Sequence, residues 1–119
     1  MSRWIRLCLG CAGAAACLAL TATGSADAAA ARACTVPDYP GAGYFTSLKV
    51  KRVSCDKGRK VTLAHYRCRT ESGRAGRCER RVLGNRCSER RTSIPTEINA
   101  RVKCRKGDAR VIYTYQQNT

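Results

Sequence analysis

The chain has 119 residues, a formal net charge of +15 at pH 7 and 9 Cys. This length is too short for two domains of ordinary size, and a charged fraction of 26% excludes a chain that lies mainly within a membrane. A hydrophobic fraction of 44% is too high for simple disorder, so the composition indicates one small folded domain.

Residues 1–28 have the three parts of a secretory signal peptide. Two Arg precede an apolar run over residues 7–22, and Ala26 and Ala28 form an A-x-A cleavage site. The alternatives are a retained membrane anchor, for which the run is short and rich in Ala, and a lipid anchor at a Cys of the run, before which no convincing Leu-small-small pattern occurs. The sequence therefore predicts a secreted or extracytoplasmic protein, with a cut uncertain by a few residues.

The mature chain is expected to start with an irregular lead-in over residues 29–43, since four Pro and Gly residues fall near its end. A single small domain over residues 44–119 is expected to follow. Its first strand is predicted over residues 44–53, where apolar and polar residues alternate. The alternation assigns Tyr44, Thr46, Leu48 and Val50 to one face, and Phe45, Ser47, Lys49 and Lys51 to the other.

A helix is predicted after this strand, with Ser54 or Asp56 as its N-terminal cap. Gly73 and Gly76 are expected to end it. Its apolar face follows the spacing i, i+3, i+4 and i+7 and consists of Val61, Ala64, His65 and Cys68.

Three strands are predicted in the last third of the chain, over residues 81–90, 96–105 and 110–115. Short links favour antiparallel pairing, and the helix is expected to cover the apolar side of the sheet. The predicted fold class is α+β, with one helix on an antiparallel sheet of three to four strands in the order strand-helix-strand-strand-strand. Tyr113 and Tyr115 are expected in the core or at the sheet edge rather than on a base-stacking platform.

Six Cys follow the predicted cleavage site, and an even number in a short exported chain indicates a disulfide framework. They are Cys34, Cys55, Cys68, Cys78, Cys87 and Cys104. The best-supported pair is Cys68–Cys78, because the turn-rich segment 71–76 can bring its members together. The other four form either Cys34–Cys55 with Cys87–Cys104, or Cys34–Cys87 with Cys55–Cys104.

A zinc site is the alternative use of the thiols. His65 and Cys68 have the spacing of half such a site, but no Cys-x-x-Cys occurs after residue 28, and export favours oxidation. We therefore expect no metal and no other cofactor.

Several segments resemble small secreted Cys-rich actinobacterial proteins, a group without an assigned activity. Residues 54–61 resemble the strand-end Cys and helix start of that group. Residues 102–107 and 111–115 resemble its closing hairpin, and the match covers about residues 44–117. The resemblance implies secretion and this fold, and it carries no catalytic residue over to this chain.

His65 is the only imidazole of the chain, and a lone His on an apolar helix face is expected to be packed and hydrogen-bonded. The residue inventory allows a small secreted ribonuclease-like hydrolase, with His65 as acid and Glu79 or Glu89 as base. No spacing forces these groups together, and no phosphate-loop or nucleophile motif occurs. We therefore expect a non-catalytic protein and keep the hydrolase as an alternative.

A cationic face is the one surface that the strand pattern predicts. If Cys87 and Cys104 point to the helix, seven cations share the opposite face of the sheet. These anion-binding candidates are Lys49, Lys51, Arg86, Arg90, Arg101, Lys103 and Arg105. Arg outnumbers Lys by 17 to 6 in the chain, and Arg suits bidentate contacts with phosphate or carboxylate. The alternative is that the charge only keeps an exported protein in solution.

The sequence therefore predicts a secreted, non-catalytic basic domain that binds anionic polymers, either of the cell envelope or nucleic acid outside the cell. A first alternative is an exported inhibitor or effector whose partner is a protein, bound through residues 93–96 or 71–76. The hydrolase is the second alternative.

Overall fold

The computed structural model describes residues 30–119, in which one helix packs on a five-stranded antiparallel sheet. In chain order the elements are β1 (Arg32–Ala33), β2 (Gly43–Lys51), α1 (Cys55–Thr70), β3 (Arg86–Ile94), β4 (Glu97–Lys106) and β5 (Ala109–Asn118). The order of strands across the sheet is β1-β2-β5-β4-β3. The disulfide-stapled α+β class is confirmed, whereas the sheet has five strands instead of three to four. The predicted signal peptide, residues 1–28, lies outside the described residues.

Helix α1 begins where its sequence supplies a cap. The Ser54 Oγ accepts a hydrogen bond of 3.1 Å from the backbone N–H of Lys57, so Ser54 rather than Asp56 is the cap. Asp56 lies in the first turn and Arg67 in the last turn, where each complements the helix dipole. The helix ends at Thr70, before the turn that contains Gly73 at a φ of 115°.

The helix packs closely on β2 because one residue on its buried face lacks a side chain. A Cβ at Gly58 would lie 2.5 Å from Cγ1 of Val50, so only glycine permits this approach. The predicted apolar face is right for Val61, His65 and Cys68, all of which are buried. Ala64 is only partly buried, and the buried face also includes Gly58, Thr62 and Arg69.

The sheet buries one face against the helix. Val102 and Tyr113 have no exposed surface, and Tyr115 is 1% exposed, in agreement with the expectation that the two Tyr belong to the core. The other fully buried apolar side chains come from the same face of β2, β4 and β5 and from the helix, and include Leu48, Val50, Val61, Cys104 and Val111.

A β-bulge in β2 makes the predicted faces wrong at the start of this strand. Phe45 pairs with Tyr115 and Ser47 pairs with Thr114, so Thr46 is an extra residue on β2. The extra residue turns Phe45 into the core and leaves Tyr44 68% exposed, which reverses their predicted positions. Beyond the bulge the predicted alternation holds.

Other boundaries also differ from the prediction, and β5 continues to Asn118 instead of ending at residue 115. The lead-in is not wholly irregular, since β1 pairs with the end of β2. β3 begins at Arg86 rather than at residue 81, because a tight turn joins Val82 to Asn85 through two backbone hydrogen bonds of 3.0 and 2.8 Å. Leu83 and Gly84 have positive φ in this turn, and an extended strand cannot pass through them.

Three disulfides staple the domain: Cys34–Cys55, Cys68–Cys78 and Cys87–Cys104. They join the lead-in to the helix start, the helix end to the following loop, and β3 to β4. Three such bonds in a domain of this size fit an oxidising compartment outside the cytoplasm. Between residues 30 and 119, no helix combines the length and the apolar character needed to cross a bilayer.

Candidate functional site

The face of the sheet that the helix does not cover carries cations in three rows. We call this surface the open face, and its rows cross β2, β5, β4 and β3 in that order. The first row is Lys51, Arg110, Arg105 and Arg86; the second is Lys49, Ile112, Lys103 and Ser88; the third is Ser47, Thr114, Arg101 and Arg90.

All seven cations that the strand pattern assigned to this face lie on it, and Arg110 is an eighth. The sequence prediction missed Arg110, although the burial of its neighbour Val111 implies that Arg110 points outward. Its guanidinium donates to the backbone oxygens of Gly107 and Ala109, at 2.6 and 2.9 Å, and so is held over the β4–β5 turn.

The rows of the open face place like charges opposite one another. Arg86 lies opposite Arg105, and Arg90 lies opposite Arg101, so like charges face each other across β3 and β4. Each such pair destabilises a sheet by about 0.2–1 kcal/mol. Within the described residues the three rows contain no carboxylate. Of the nearby acids, Asp108 pairs with Arg52, and Glu71 and Glu89 pair with Arg80 and Arg91. Glu79 lines a cleft beside Arg86 and Arg105.

Two adjoining clefts lie over β3 and β4. The larger, of about 460 Å³, is lined by cations of the first row and by Glu79, Arg80 and Arg81 of the preceding loop. The smaller, of about 360 Å³, is lined by Ser88, Arg90, Arg101 and Lys103. Ser88 and Lys103 line both clefts, so the two adjoin, and we call them together the β3–β4 groove.

A cluster of hydroxyl groups lies at the third row, beside this groove. The Thr114 Oγ1 lies 2.6 Å from Thr46 Oγ1 and 2.6 Å from Ser47 Oγ. The two hydrogen bonds use two of the three hydroxyl hydrogens of the cluster. Among residues 30–119 the third hydrogen has no acceptor, so it can be donated to a ligand. Thr114 pairs with Arg101, which brings the cluster next to a guanidinium. The bulge creates this cluster, and no sequence signal indicated it.

His65 lies on the other side of the sheet, under the helix. It is 1% exposed, and its Nδ1 is hydrogen-bonded to the hydroxyl of Tyr113. Burial lowers the pKa of His65 to about 4. His65 is therefore a neutral, packed residue near pH 7, as the lone-His argument expected.

Glu89 also belongs to the helix-covered side. Its carboxylate accepts a hydrogen bond from the Tyr115 hydroxyl, and Arg91 Nη2 lies 3.0 Å from Glu89 Oε2. Burial and the bond to this carboxylate raise the pKa of Tyr115. Glu79, the other proposed base, is exposed in the loop before β3. The only imidazole of the chain is thus out of solvent, which removes geometric support from the hydrolase alternative.

A buried guanidinium completes this inner cluster. Arg69 has no exposed surface, and it donates to Gln117 Oε1 at 2.9 Å and to the Tyr39 hydroxyl at 2.6 Å. Its guanidinium carbon lies 4.0 Å from the centre of the Tyr115 ring, at cation–π distance. Arg69 therefore ties the helix to β5 and the lead-in, and it is a structural residue that the sequence prediction missed.

The thiols are not available to a metal. Cys68 is bonded to Cys78, so the half-site formed with His65 cannot bind zinc as a thiolate. In the part of the chain that the structure describes, no group of three or more His, Cys, Asp or Glu side chains could hold a metal ion.

The chain matches no family model, no curated protein and no solved structure.

Proposed function

We propose that the mature protein is a secreted, non-catalytic domain that binds anionic polymers through the open face of its sheet. The observation that carries this proposal is the grouping of eight cations in three rows on the uncovered face, with like charges directly opposite one another. A protein gains stability when an anion lies between such charges. An unoccupied face of this kind costs stability instead.

Secretion is the second part of the proposal. The pattern of residues 1–28, the even number of Cys after it and the three disulfides all support an exported protein. The resemblance to small secreted actinobacterial proteins supports the same setting. The polymers available there are those of the cell envelope and nucleic acid outside the cell.

The composition of the face favours multivalent, salt-sensitive binding. The β3–β4 groove alone contains five of the cations, four of them Arg, whose planar group matches two oxygens of one anion. A single-stranded polyanion that neutralises five cations should lose affinity with a slope of about −3.5 in log K against log salt.

The binding test compares two variants with the same loss of charge. Arg101→Gln/Lys103→Gln/Arg105→Gln removes three cations from β4. Lys57→Gln/Lys60→Gln/Arg67→Gln removes three from the helix, on the other side of the sheet. We expect the first variant to bind a polyanion at least about tenfold more weakly at low salt and the second to stay within about twofold. Equal losses in both variants, or binding no tighter than that of an exported control protein of equal charge, would refute the proposal.

A second candidate is an exported protein-binding inhibitor or effector. The tip of the β3–β4 hairpin supports it, because Ile94 is 59% exposed next to Pro95. A stoichiometric protein captured from culture medium by the wild type, and lost with Ile94→Ser, would favour this candidate. Unchanged capture by the β4 triple variant would separate it from the first.

A further inference from the structure

We infer that the polymer is a base-free phosphodiester chain of the 1,3-linked polyol phosphate kind, bound lengthwise in the β3–β4 groove through its phosphates and free hydroxyls. This inference rests on the proposed function and names the ligand chemistry of the same face.

The rows repeat at the spacing of such a polymer. Successive rows are two residues apart along β4, at Arg105, Lys103 and Arg101, which corresponds to about 6.6–6.8 Å. Two residues of extended backbone contain six bonds, and six bonds also separate successive phosphorus atoms in a 1,3-linked glycerol phosphate chain. An extended chain of this kind therefore repeats its charge over about the same length as the rows, and so does a nucleic-acid backbone, which also has six bonds between successive phosphorus atoms. The spacing thus favours a phosphodiester chain and does not distinguish a base-free one from nucleic acid. Three consecutive phosphates can each meet one row.

The side chains of the groove argue against recognition of bases. Proteins that bind single-stranded nucleic acid stack its bases on aromatic rings placed among the cations. Among the described residues, none of the three rows contains an aromatic side chain. Tyr113 and Tyr115 are buried on the covered side, and the exposed Tyr44 lies on β2, beyond the third row. A nucleic acid would therefore be held by its backbone alone.

The hydroxyl cluster favours a polyol between the phosphates. Thr46, Ser47 and Thr114 offer one donatable hydrogen and several acceptor lone pairs beside Arg101. A free hydroxyl on the polyol repeat can both accept this hydrogen and donate in return. Deoxyribose within a DNA chain has no such hydroxyl, whereas ribose within RNA has one at its 2′ position, so RNA differs from the polyol chain in its bases and not in this group. The third row is thus suited to a phosphate followed by a polyol hydroxyl.

The first experiment measures how affinity depends on ligand chemistry. The probes are defined 1,3-linked glycerol phosphate oligomers, single-stranded DNA, an abasic DNA of the same number of phosphates, and polyglutamate of the same charge. We expect abasic and base-bearing DNA to bind within about twofold of each other, since no ring stacks a base. The glycerol phosphate oligomer should bind about three- to tenfold more tightly than either DNA, because of the added hydrogen bond.

The second experiment assigns this preference to the third row. Thr46→Val/Ser47→Ala/Thr114→Val removes all three hydroxyls of the cluster and nearly preserves the shape of both Thr side chains. We expect it to abolish the preference for glycerol phosphate over abasic DNA and to leave the binding of abasic DNA unchanged. Arg90→Gln/Arg101→Gln should weaken all phosphodiester probes. The control Lys49→Gln/Lys51→Gln, with equal charge loss on β2, should weaken them less.

Affinity should also rise steeply with oligomer length up to three phosphates and only slightly beyond. Tighter binding of base-bearing than of abasic DNA would overturn the inference and make nucleic acid the ligand. Equal binding of polyglutamate would overturn it as well, because phosphate would then not be distinguished. Binding of no probe above the equal-charge control protein would instead refute the proposed function.

Discussion

Arg101 on β4 lies directly opposite Arg90 on β3, and both side chains line the same cleft on the open face. The same relation holds between Arg105 and Arg86, so repulsion acts at both ends of the β3–β4 groove. Repulsion of this kind weakens a sheet without helping it to fold. Such like-charged pairs occur twice on the face that the helix leaves uncovered. They are the strongest structural reason to expect an anionic ligand on this face.

Removal of one Arg from this pair should stabilise the domain. Arg101→Gln is expected to raise the free energy of unfolding by about 0.2–1 kcal/mol at low salt. This corresponds to an increase in Tm of about 1–8 °C for a domain of this size. Thermal unfolding at about 0.01 M and about 1 M salt tests the cause, because the Debye length falls from about 30 to about 3 Å and the gain should disappear.

The matched control for this prediction is Lys60→Gln, an exposed cation on the helix. It should leave Tm unchanged within about 1–2 °C. A gain for Arg101→Gln that persists at high salt would show that packing, and not repulsion, is responsible.

Stability should depend on pH through His65. Burial lowers the pKa of this imidazole from 6.5 to about 4, so the folded state favours the neutral form. Between these values the unfolded chain binds a proton that the folded chain does not. The stabilising contribution is therefore complete above pH 6.5 and is lost as the pH falls towards 4, with a total of about 3 kcal/mol.

Urea unfolding at several pH values between 6.5 and 4 measures this loss of stability. His65→Gln lowers stability at all pH values, but it should remove the part of the pH dependence that belongs to the imidazole. If wild type and variant lose the same free energy between pH 6.5 and 4, His65 is not the source, and the carboxylates of the domain are.

Gly58 should not tolerate a methyl group. Alanine is favoured over glycine within a helix by about 1 kcal/mol, yet its Cβ would lie 2.5 Å from Cγ1 of Val50. We expect Gly58→Ala to destabilise the domain by about 1–3 kcal/mol, measured by denaturant unfolding. In a double-mutant cycle Val50→Ala should cost less in the Gly58→Ala background than alone. Additive costs would contradict the proposed contact.

The disulfide connectivity can be determined directly by peptide mapping. A Lys or Arg lies between every Cys and the next one in the described chain, so trypsin separates all six. Non-reducing digestion and mass spectrometry should give three linked peptide pairs, which contain Cys34–Cys55, Cys68–Cys78 and Cys87–Cys104. A Cys34–Cys87 or Cys55–Cys104 pair would contradict this arrangement.

Much of the candidate site could be predicted because β4 has one buried and one solvated face. Ile98, Ala100, Val102 and Cys104 are buried as the alternation predicted, so the cations between them had to point outward. The local turn-rich segment likewise indicated Cys68–Cys78. The other two pairs stayed open, since they depend on how distant elements approach one another.

The sequence did not predict the features that interrupt the two-residue alternation of a strand or that bring distant residues together. The extra residue at Thr46 reversed the faces of Tyr44 and Phe45, and the hydroxyl cluster arises from the same bulge. Arg69 looked like one solvated cation among many. Its burial depends on Gln117, Tyr39 and the Tyr115 ring, which no local pattern brings together.

The sequence by itself determined the α+β class, the even set of Cys, the helix start and the outward cations of β4, because these depend on charge, spacing and the period of a half-buried strand. Only the tertiary structure decided the order of strands across the sheet and therefore the alignment of cations into rows. Register between strands is set by long-range packing and by a bulge, and neither has a signature within one strand.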